Sequence, residues 1–176
     1  MSIVAPNQVK IHRWVLWFLA KRVAKQLNLK KYVLSGSYRR GKWWCNDIDL
    51  LVPIQSDSEG SGLIARLLQL GWRYTPYRHT NENVFSHQFM KKIGNKIIIM
   101  DLFLSLPGTW GNALLFTTGS KYFNDNIRST LTDMGYVWSN PRYFTHIKSD
   151  TKCSFDTEKA ALDFIGLPWV KPKNRL

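Results

Sequence analysis

Apolar positions recur at helical spacing near the start of the chain and then change to short runs and alternation. Between residues 7 and 28, apolar side chains fall three or four positions apart, and lysines and arginines fill the positions between them. This spacing predicts a helix with a wide buried face, which includes Trp14 and Trp17. Short apolar runs then predict strands at 32–35 and 48–54, a loop at 56–60, a helix at 63–70 and a strand at 72–77.

The next segments alternate and predict a hairpin. Residues 84–90 alternate, the sequence Ile93-Gly94-Asn95-Lys96 predicts a tight turn, and residues 97–104 form an apolar strand that contains Asp101. After Pro107 and Gly108 the pattern becomes helical at 110–116, at 121–134 with Ser120 as its N-cap, and after Asp156 to Ile165, with strand features at 136–147. The whole pattern predicts an α/β (α+β) fold with a mixed sheet.

Two carboxylates on one strand are the strongest chemical feature. Asp47 and Asp49 lie two residues apart, so their side chains project to one face of a strand at a spacing of roughly 6–7 Å. Such carboxylates repel unless a cation lies between them, and oxygen ligands suit Mg²⁺ or Mn²⁺. The turn from Gly36 to Gly41, with Ser37 and Arg40, precedes them and suits a triphosphate. A chance Asp-x-Asp pair is the alternative, and Asp101 on a second apolar strand argues against it.

Composition favours a polyanionic partner. The 176 residues include 25 lysines and arginines against 12 acids, a net charge of +13, and 14% of residues are aromatic. Nucleic acid is the first candidate and an acidic membrane surface the second. Two cysteines exclude a disulfide scaffold or a zinc cluster and favour a soluble, intracellular protein. The apolar run at 14–20 is too short to span a bilayer.

The chain resembles the family X DNA polymerases, the polymerase beta-like group of nucleotidyltransferases. Three blocks carry the resemblance: the turn from Gly36 to Gly41 with Asp47-x-Asp49, Asp101 on its strand, and the segment 115–128 (LFTTGSKYFNDNIR). The segment from Asp156 to Arg175 also resembles the family's last helix and tail. The resemblance implies a nucleotidyltransferase palm over residues 1–105 and a small C-terminal α/β lobe over residues 106–176 that binds nucleotide and DNA.

The resemblance also implies a role for each matching position. Asp47 and Asp49 are expected to hold two Mg²⁺ ions, with Mn²⁺ as the alternative, and Asp101 to hold the catalytic ion near the primer 3′-hydroxyl. The nucleotide-binding positions are expected to be Gly36, Ser37, Arg40 and Asn46 for the phosphates, Phe116, Thr117 and Gly119 for the sugar, and Asn124 for the base edge. Arg128 and Lys121 are expected to contact DNA.

Several features depart from the family pattern. Only some 35 residues precede Gly36, so we expect no helix-hairpin-helix lyase region and a minimal two-lobe member of the viral type, encoded by a virus or phage. Thr117 occupies the position where an aromatic residue often excludes ribonucleotides, which leaves sugar discrimination open. Cys45 is expected to be a bystander. Trp43 and Trp44 are expected to pack at the lobe interface, with DNA contact as the alternative, and the basic tail at 171–175 to be either solvated or bound to DNA.

The expected function is therefore template-directed DNA synthesis, with short-gap filling in repair as its setting. The substrates would be a dNTP and a primer–template or gapped duplex, and the protein would act as a monomer away from membranes. A template-independent or non-DNA nucleotidyltransferase is the first alternative, because it needs the Asp47-x-Asp49 block but neither Asn124 nor Arg128. A nucleic-acid-binding module without catalysis is the second, and the three acids argue against it.

Overall fold

The structure is a computed structural model that describes residues 9–75 and 85–175. The helices and strands follow one another in an order that changes from mixed α and β to a helix-rich C-terminal part. In chain order they are β1 (Ile11–His12), α1 (Arg13–Gln26), β2 (Val33–Leu34), α2 (Gly36–Arg39), β3 (Trp44–Cys45), β4 (Ile48–Pro53), α3 (Asp57–Gln69), β5 (Arg73–Tyr74), β6 (Ser86–Ile93), β7 (Lys96–Ser105), α4 (Trp110–Thr118), α5 (Lys121–Asp133), β8 (Tyr136–Asn140), β9 (Tyr143–His146), β10 (Lys152–Cys153) and α6 (Glu158–Phe164).

A five-stranded mixed sheet forms the larger part of the molecule. Its strand order is β2-β4-β7-β6-β5, with β4 and β7 parallel and every other neighbouring pair antiparallel. The crossover between the two parallel strands contains α3 and the β5–β6 pair, as a parallel connection requires. The predicted α/β (α+β) class with a mixed sheet is therefore confirmed.

The two faces of this sheet are covered differently because side chains alternate along each strand. Ile48, Leu50, Met100 and Leu102 point to one face and join the main hydrophobic core with residues of α1 and α3. Leu51 belongs to a smaller cluster on the other face, with Phe85 and Ala113 of α4. Asp49, two residues before Leu51, shares that second face, so the acid of β4 lies on the side of the sheet that α4 covers.

The C-terminal part has a hydrophobic core of its own. Leu115, Ile127, Trp138, Phe144 and Leu162 form it with their neighbours, and the small sheet β10-β9-β8 closes one side. Helix α4 approaches the residues before α6 closely at Gly111, whose N–H donates to Phe155 O at 2.7 Å. A Cβ at Gly111 would lie 2.3 Å from the Thr157 backbone, so only glycine fits there.

The hydrophobic pattern predicted most elements but not all their boundaries. The first helix starts only at Arg13 because His12 pairs with Trp44 in the short β1–β3 ladder, which the pattern did not predict. The predicted loop at 56–60 is wrong: Ser56 caps α3 by accepting a hydrogen bond from Glu59 N at 3.3 Å, so the helix begins at Asp57. The predicted strand at 72–77 is reduced to Arg73–Tyr74. Residues 7, 8, 76, 77 and 84 of the predicted elements lie outside the described residues.

Three predictions about individual side chains also need correction. Trp14 is 57% exposed rather than part of the core. Trp43 and Trp44 do not pack at an interface between the two parts of the chain, since they are 60% and 59% exposed beside α1. Arg175 is almost completely buried, so this end of the basic tail is neither solvated nor placed to contact DNA. None of the described helices has the length and hydropathy that crossing a bilayer would require.

Candidate active site

The glycine turn forms a short helical turn directly against one of the acids. Gly36 begins α2 with φ of +53°, and a Cβ at this position would lie 1.6 Å from Asp49 Oδ2. Ser35 N donates to Asp49 O at 2.9 Å, which fixes the turn to strand β4. Only a residue without a side chain permits this approach, so the predicted phosphate turn and the predicted carboxylate meet.

Asp49 and Asp101 are neighbours across the two parallel strands. The register of β4 and β7 pairs Asp49 with Asp101, so their Cα atoms are separated by about one strand spacing, roughly 4.8 Å. Asp47 precedes β4 by one residue and is half-buried. The structure thus places Asp49 and Asp101 side by side, and it places Asp47 at the start of the same strand.

Asp101 is oriented by a hydrogen-bonded chain that the sequence did not indicate. Gln88 is its register partner on β6 and donates from Nε2 to Asp101 Oδ1 at 2.9 Å. Gln88 Oε1 in turn accepts a hydrogen bond from Thr75 Oγ1 at 2.9 Å. Because Asp101 and Thr75 are both buried, this chain fixes the rotamer of the carboxylate.

We expect Gln88→Leu to lower kcat for the nucleotide incorporation that the sequence predicts, while the KM for the nucleotide changes little. Loss of an outer hydrogen-bond partner of a metal-binding carboxylate typically costs about 10–100-fold in activity or metal affinity. Steady-state kinetics at several Mg²⁺ concentrations measure both quantities. Thr75→Val, which keeps the Gln88 amide, is the matched variant and should produce a smaller loss of the same kind. An increase in KM alone would contradict the positioning role of Gln88.

The donor chemistry fits a divalent ion, although the acids do not form a closed site. In the ranges 9–75 and 85–175, no three His, Cys, Asp or Glu side chains form a group that could hold a metal ion as they stand. The adjacent pair Asp49 and Asp101 supplies oxygen ligands only, as Mg²⁺ and Mn²⁺ prefer. A bound cation would also relieve the repulsion between these two carboxylates. The metal-binding roles of Asp47, Asp49 and Asp101 stay predictions.

Ser37 and Cys45 lie next to the acids. The Ser37 hydroxyl is buried and has no hydrogen bond of good geometry to any described residue, although it lies close enough to the Cys45 thiol to lower its pKa. Burial nevertheless raises the pKa of Cys45, and the charges of Asp47 and Asp49 raise it further. Cys45 is therefore a protonated, buried thiol, as expected of a bystander, and the Ser37 hydroxyl is able to bind a phosphate oxygen.

Arg40 connects the phosphate turn to the segment after α4. Its Nη1 donates to Thr118 O, the carbonyl that precedes Gly119. Gly119 has φ of +58°, and a Cβ there would lie 3.4 Å from Arg40 Nη1 and 3.9 Å from Asn124 Nδ2. Arg40, a predicted phosphate-binding residue, is therefore in contact with the segment of Gly119, a predicted sugar-binding residue. The two lie about 80 positions apart in the sequence. Asn46, which was predicted to help with the phosphates, is exposed between Cys45 and Asp47.

Asn124 is held by the segment that the resemblance places under the sugar. Its Nδ2 donates to Phe116 O at 2.8 Å, whereas its Oδ1 is buried and has no hydrogen-bond partner among the described residues. Thr117 is buried, and its hydroxyl donates a long hydrogen bond of 3.5 Å to Leu114 O. The unpaired acceptor of Asn124 is available to a hydrogen-bond donor on a ligand.

Arg128 and Lys121 lie on α5 at different positions relative to this segment. The Arg128 guanidinium stacks over Phe116 and Trp138, at 5.7 and 5.6 Å from their ring centroids, and pairs with Asp125 at 3.0 Å. Lys121 is exposed at the first turn of the helix. Both side chains are accessible to DNA, and Arg128 has a fixed direction because two rings hold it.

A buried ion triad next to the site was missed by the sequence analysis. Arg39 forms two hydrogen bonds with the Glu158 carboxylate, at 2.7 and 2.8 Å, and Arg175 Nη1 donates to Glu158 Oε1 at 2.6 Å. Burial raises the pKa of Glu158, but the two guanidinium groups outweigh it, so the pKa lies below its ordinary value. Arg39 precedes Arg40, and Glu158 begins α6, so the triad ties the phosphate turn to the C-terminal part.

Gly36 offers a direct test of the contact between the turn and Asp49. We expect Gly36→Ala to reduce nucleotide incorporation by about a hundredfold, because the new methyl group must displace the Asp49 carboxylate. Gly94→Ala is the matched control, since Gly94 has a similar φ of +58° and no atom within 4 Å of an added Cβ. Both variants therefore carry similar backbone strain. Equal losses of activity in the two would contradict a specific effect on Asp49.

Comparison with known proteins agrees with this architecture. A family model described as DNA polymerase beta thumb matches residues 113–176. DNA polymerase lambda from Arabidopsis thaliana is 24% identical, with 81% of this chain and 31% of the relative aligned, and the enzyme of the same name from Rattus norvegicus is 24% identical over 81% of this chain and 28% of its own length. The chain thus spans less than a third of the length of these curated relatives.

Two solved structures share the fold over nearly the whole chain. A ternary gap complex of Leishmania infantum polymerase beta superposes with a TM-score of 0.76 at 17% identity, and covers 96% of this chain and 71% of that one. A ternary P/T complex of the same enzyme gives a TM-score of 0.76 at 18% identity, with coverages of 97% and 78%. These proteins do not bear on a viral or phage origin, which stays a prediction. The thumb match and the shared fold confirm the predicted resemblance of this chain to the family X DNA polymerases.

Proposed function

We propose that this chain is a template-directed DNA polymerase that adds a dNTP to a primer 3′-hydroxyl. The observation that supports this function most strongly is the register of Asp49 and Asp101, with Gly36 packed against the Asp49 carboxylate. A phosphate turn and paired acids are the parts that phosphoryl transfer requires, since the reaction depends mainly on positioning and charge neutralisation. The DNA polymerase lambda relatives and the thumb match support DNA as the substrate class.

In the proposed reaction, the primer 3′-oxygen attacks the α-phosphorus of the dNTP and pyrophosphate leaves. Asp47 and Asp49 would hold two Mg²⁺ ions, with Mn²⁺ as the alternative, and Asp101 would be a ligand of the catalytic ion alone, near the primer hydroxyl. When bound, such ions lower the pKa of the attacking hydroxyl and neutralise charge on the phosphates. Gln88 keeps the Asp101 carboxylate in one orientation throughout.

The remaining residues position the nucleotide. Ser37 and the free donors of Arg40 hold the outer phosphates, with the backbone N–H of Asn46, because a guanidinium group has five N–H donors and Thr118 O uses one. Phe116, Thr117 and Gly119 form the surface under the sugar. The unpaired Oδ1 of Asn124 accepts a hydrogen bond from the base edge.

DNA binding involves the two parts of the chain together. Residues 1–105 form the palm, and residues 106–176 form the lobe that contacts DNA through Arg128 and Lys121. The separate hydrophobic cores of the two parts support this division. The net charge of +13 implies that DNA affinity falls steeply as the salt concentration rises. Short-gap filling in repair, by a monomer inside the cell, is the setting we propose.

The test is incorporation on a one-nucleotide-gapped duplex with Mg²⁺ and each dNTP supplied separately. Extension only by the nucleotide complementary to the template supports the proposal, and repetition with each rNTP measures the sugar discrimination that Thr117 leaves open. Extension of a single strand without a template would instead support a template-independent nucleotidyltransferase. Absence of extension under all conditions would reject catalysis and leave a binding module.

A further inference from the structure

Exposed aromatic side chains gather around the start of α1. Of the twelve large hydrophobic side chains that are exposed in the described residues, five fall at positions 14–18 and 43–44. Four of them are aromatic: Trp14, Phe18, Trp43 and Trp44, with exposures between 57% and 65%. We call these four side chains, together with His12, the aromatic platform. Large apolar side chains that are exposed close together indicate an interaction surface, whereas single exposed ones are ordinary.

The local backbone holds the part of the platform formed by His12, Trp43 and Trp44 in a fixed arrangement. The β1–β3 ladder pairs His12 with Trp44, and Arg13 N donates to Trp43 O at 2.9 Å. The His12 ring stacks on Trp43 with centroids 5.9 Å apart and meets Trp44 edge-on at 5.1 Å. Trp14 and Phe18 are four residues apart on α1 and therefore lie on one face of the helix. The rings of His12, Trp43 and Trp44 are therefore preorganised, although both tryptophans are open to solvent.

The platform adjoins the phosphate turn through Arg13. The guanidinium of Arg13 lies over the rings of Tyr38 and Trp43, at 5.0 and 5.6 Å, and its Nη1 donates to Gly41 O at 3.3 Å. Tyr38 and Gly41 belong to the turn that the proposed function assigns to the nucleotide phosphates. A nucleotide bound at that turn, together with the DNA to which it is added, would therefore lie close to the platform.

The charged side chains of residues 1–46, the segment that contains the platform, are all positive. Residues 1–46 contain ten of the 25 lysines and arginines and none of the 12 acids, the first of which is Asp47. On α1, Lys21, Arg22 and Lys25 are exposed and follow Trp14 and Phe18 along the helix. Open aromatic rings among unopposed cations are what proteins use to stack unpaired bases while they hold the phosphate backbone.

We propose that the aromatic platform binds unpaired DNA bases of a strand that extends from the duplex in the active site. This inference rests on the proposed function for the position of the duplex, but it assigns a separate contact surface. The bases stack on Trp14, Trp43 and Trp44, and the cations of α1 hold the phosphates. A lipid surface fits the observations less well, because the rings belong partly to a rigid two-stranded ladder next to the phosphate turn and not to one helix face alone.

Binding of two fluorescent primer–template duplexes, one with a long and one with a one-nucleotide template overhang, tests the proposal without catalysis. We expect the wild-type protein to bind the long overhang more tightly. The triple variant Trp14→Ala, Trp43→Ala, Trp44→Ala should lose about tenfold or more in affinity for the long overhang and little for the short one. Trp169→Ala is the matched control, because Trp169 is an exposed tryptophan (43%) outside the platform.

Two further measurements keep the test independent of the stability of the triple variant. The double variant Trp43→Phe, Trp44→Phe retains flat rings and should retain overhang binding. Iododeoxyuridine placed in the overhang should photo-crosslink to Trp14, Trp43 or Trp44 of the wild-type protein, as located by mass spectrometry. Equal affinity of the wild type and the triple variant for the long overhang would overturn the proposal, and so would crosslinks confined to other residues.

Other occupants of the surface give different results. Binding to phosphatidylserine vesicles that is lost in the triple variant, with overhang affinity unchanged, would assign the platform to a membrane and overturn the proposal. Dimerisation that the triple variant abolishes, again with overhang affinity unchanged, would assign it to a second copy of the chain. Overhang-dependent binding without any nucleotide incorporation would support the platform and reject the polymerase function. Failure of the platform proposal and failure of the proposed function therefore give different results.

Discussion

Asp49→Asn is expected to abolish templated incorporation while the affinity for DNA is retained. The substitution keeps the shape of the side chain beside Gly36 but removes the charge that a divalent ion requires. Loss of several kcal/mol of transition-state stabilisation corresponds to a rate decrease of about a thousandfold or more. Asp47→Asn and Asp101→Asn should behave alike, since the proposed function assigns Asp47 to both ions and Asp101 to the catalytic ion.

Single-turnover incorporation and DNA-binding titrations, made on the same preparations, measure the two expected effects. Asp163→Asn is the matched control, because Asp163 is an exposed acid on α6 that pairs with Lys159 at 2.5 Å. Its activity should equal that of the wild type. If one of the three site variants retained near-normal turnover, that residue would not be a metal ligand, and a parallel loss of DNA affinity would indicate a structural role instead.

Glu158→Gln is expected to give the largest loss of stability among single substitutions near the site. Glu158 is buried and pairs with Arg39 and with the fully buried Arg175. Removing its charge leaves two guanidinium groups without a counter-charge, and breaking a buried ion pair in this way typically costs about 3–5 kcal/mol of unfolding free energy. Chemical denaturation followed by circular dichroism measures this free energy.

The Lys159–Asp163 pair on the same helix provides the comparison. Both of its side chains are more than half exposed, so Asp163→Asn should change the unfolding free energy by no more than about 0.5 kcal/mol. Arg175→Met should cost less than Glu158→Gln, because Arg39 still pairs with the carboxylate through two hydrogen bonds. Similar small losses for Glu158→Gln and Asp163→Asn would show that the triad does not stabilise the fold.

The same triad predicts the direction of the pH dependence. The pKa of Glu158 in the folded protein is below its ordinary value of 4.5, so the folded state binds this proton less readily than the unfolded chain. Its contribution is therefore complete above pH 4.5 and is lost as the pH falls below that value through the folded pKa. Glu158→Gln should show a weaker decrease of stability than the wild type over this acidic range.

The positions of the candidate acids could be predicted from sequence, because the apolar pattern of a strand shows which face a residue occupies and whether the strand is buried. Alternation assigns Asp49 to one face of β4, and an apolar strand around Asp101 implies a position within the sheet. The triad could not be predicted, because Arg39 and Glu158 are 119 residues apart and no periodicity links them. Arg175 lies in a short basic tail, and such a tail is solvated unless one of its side chains pairs with a buried acid.

Two other features escaped the sequence for related reasons. The two-residue strands β1 and β3 are too short to show alternation, so the sequence did not indicate that Trp43 and Trp44 lie beside the start of α1. Gln88 is one of several polar residues on an alternating strand, and only the register of β6 against β7 identifies it as the partner of Asp101. In each case the missing information is a pairing between strands that local composition does not determine.

The parallel register of β4 and β7 has a consequence for how this chain can change. A residue inserted into or deleted from either strand would rotate one carboxylate to the opposite face, because successive side chains alternate. Loops on either side of these strands can vary in length without this penalty. Homologues that keep the chemistry should therefore show gaps and insertions up to the ends of the two strands but none within them.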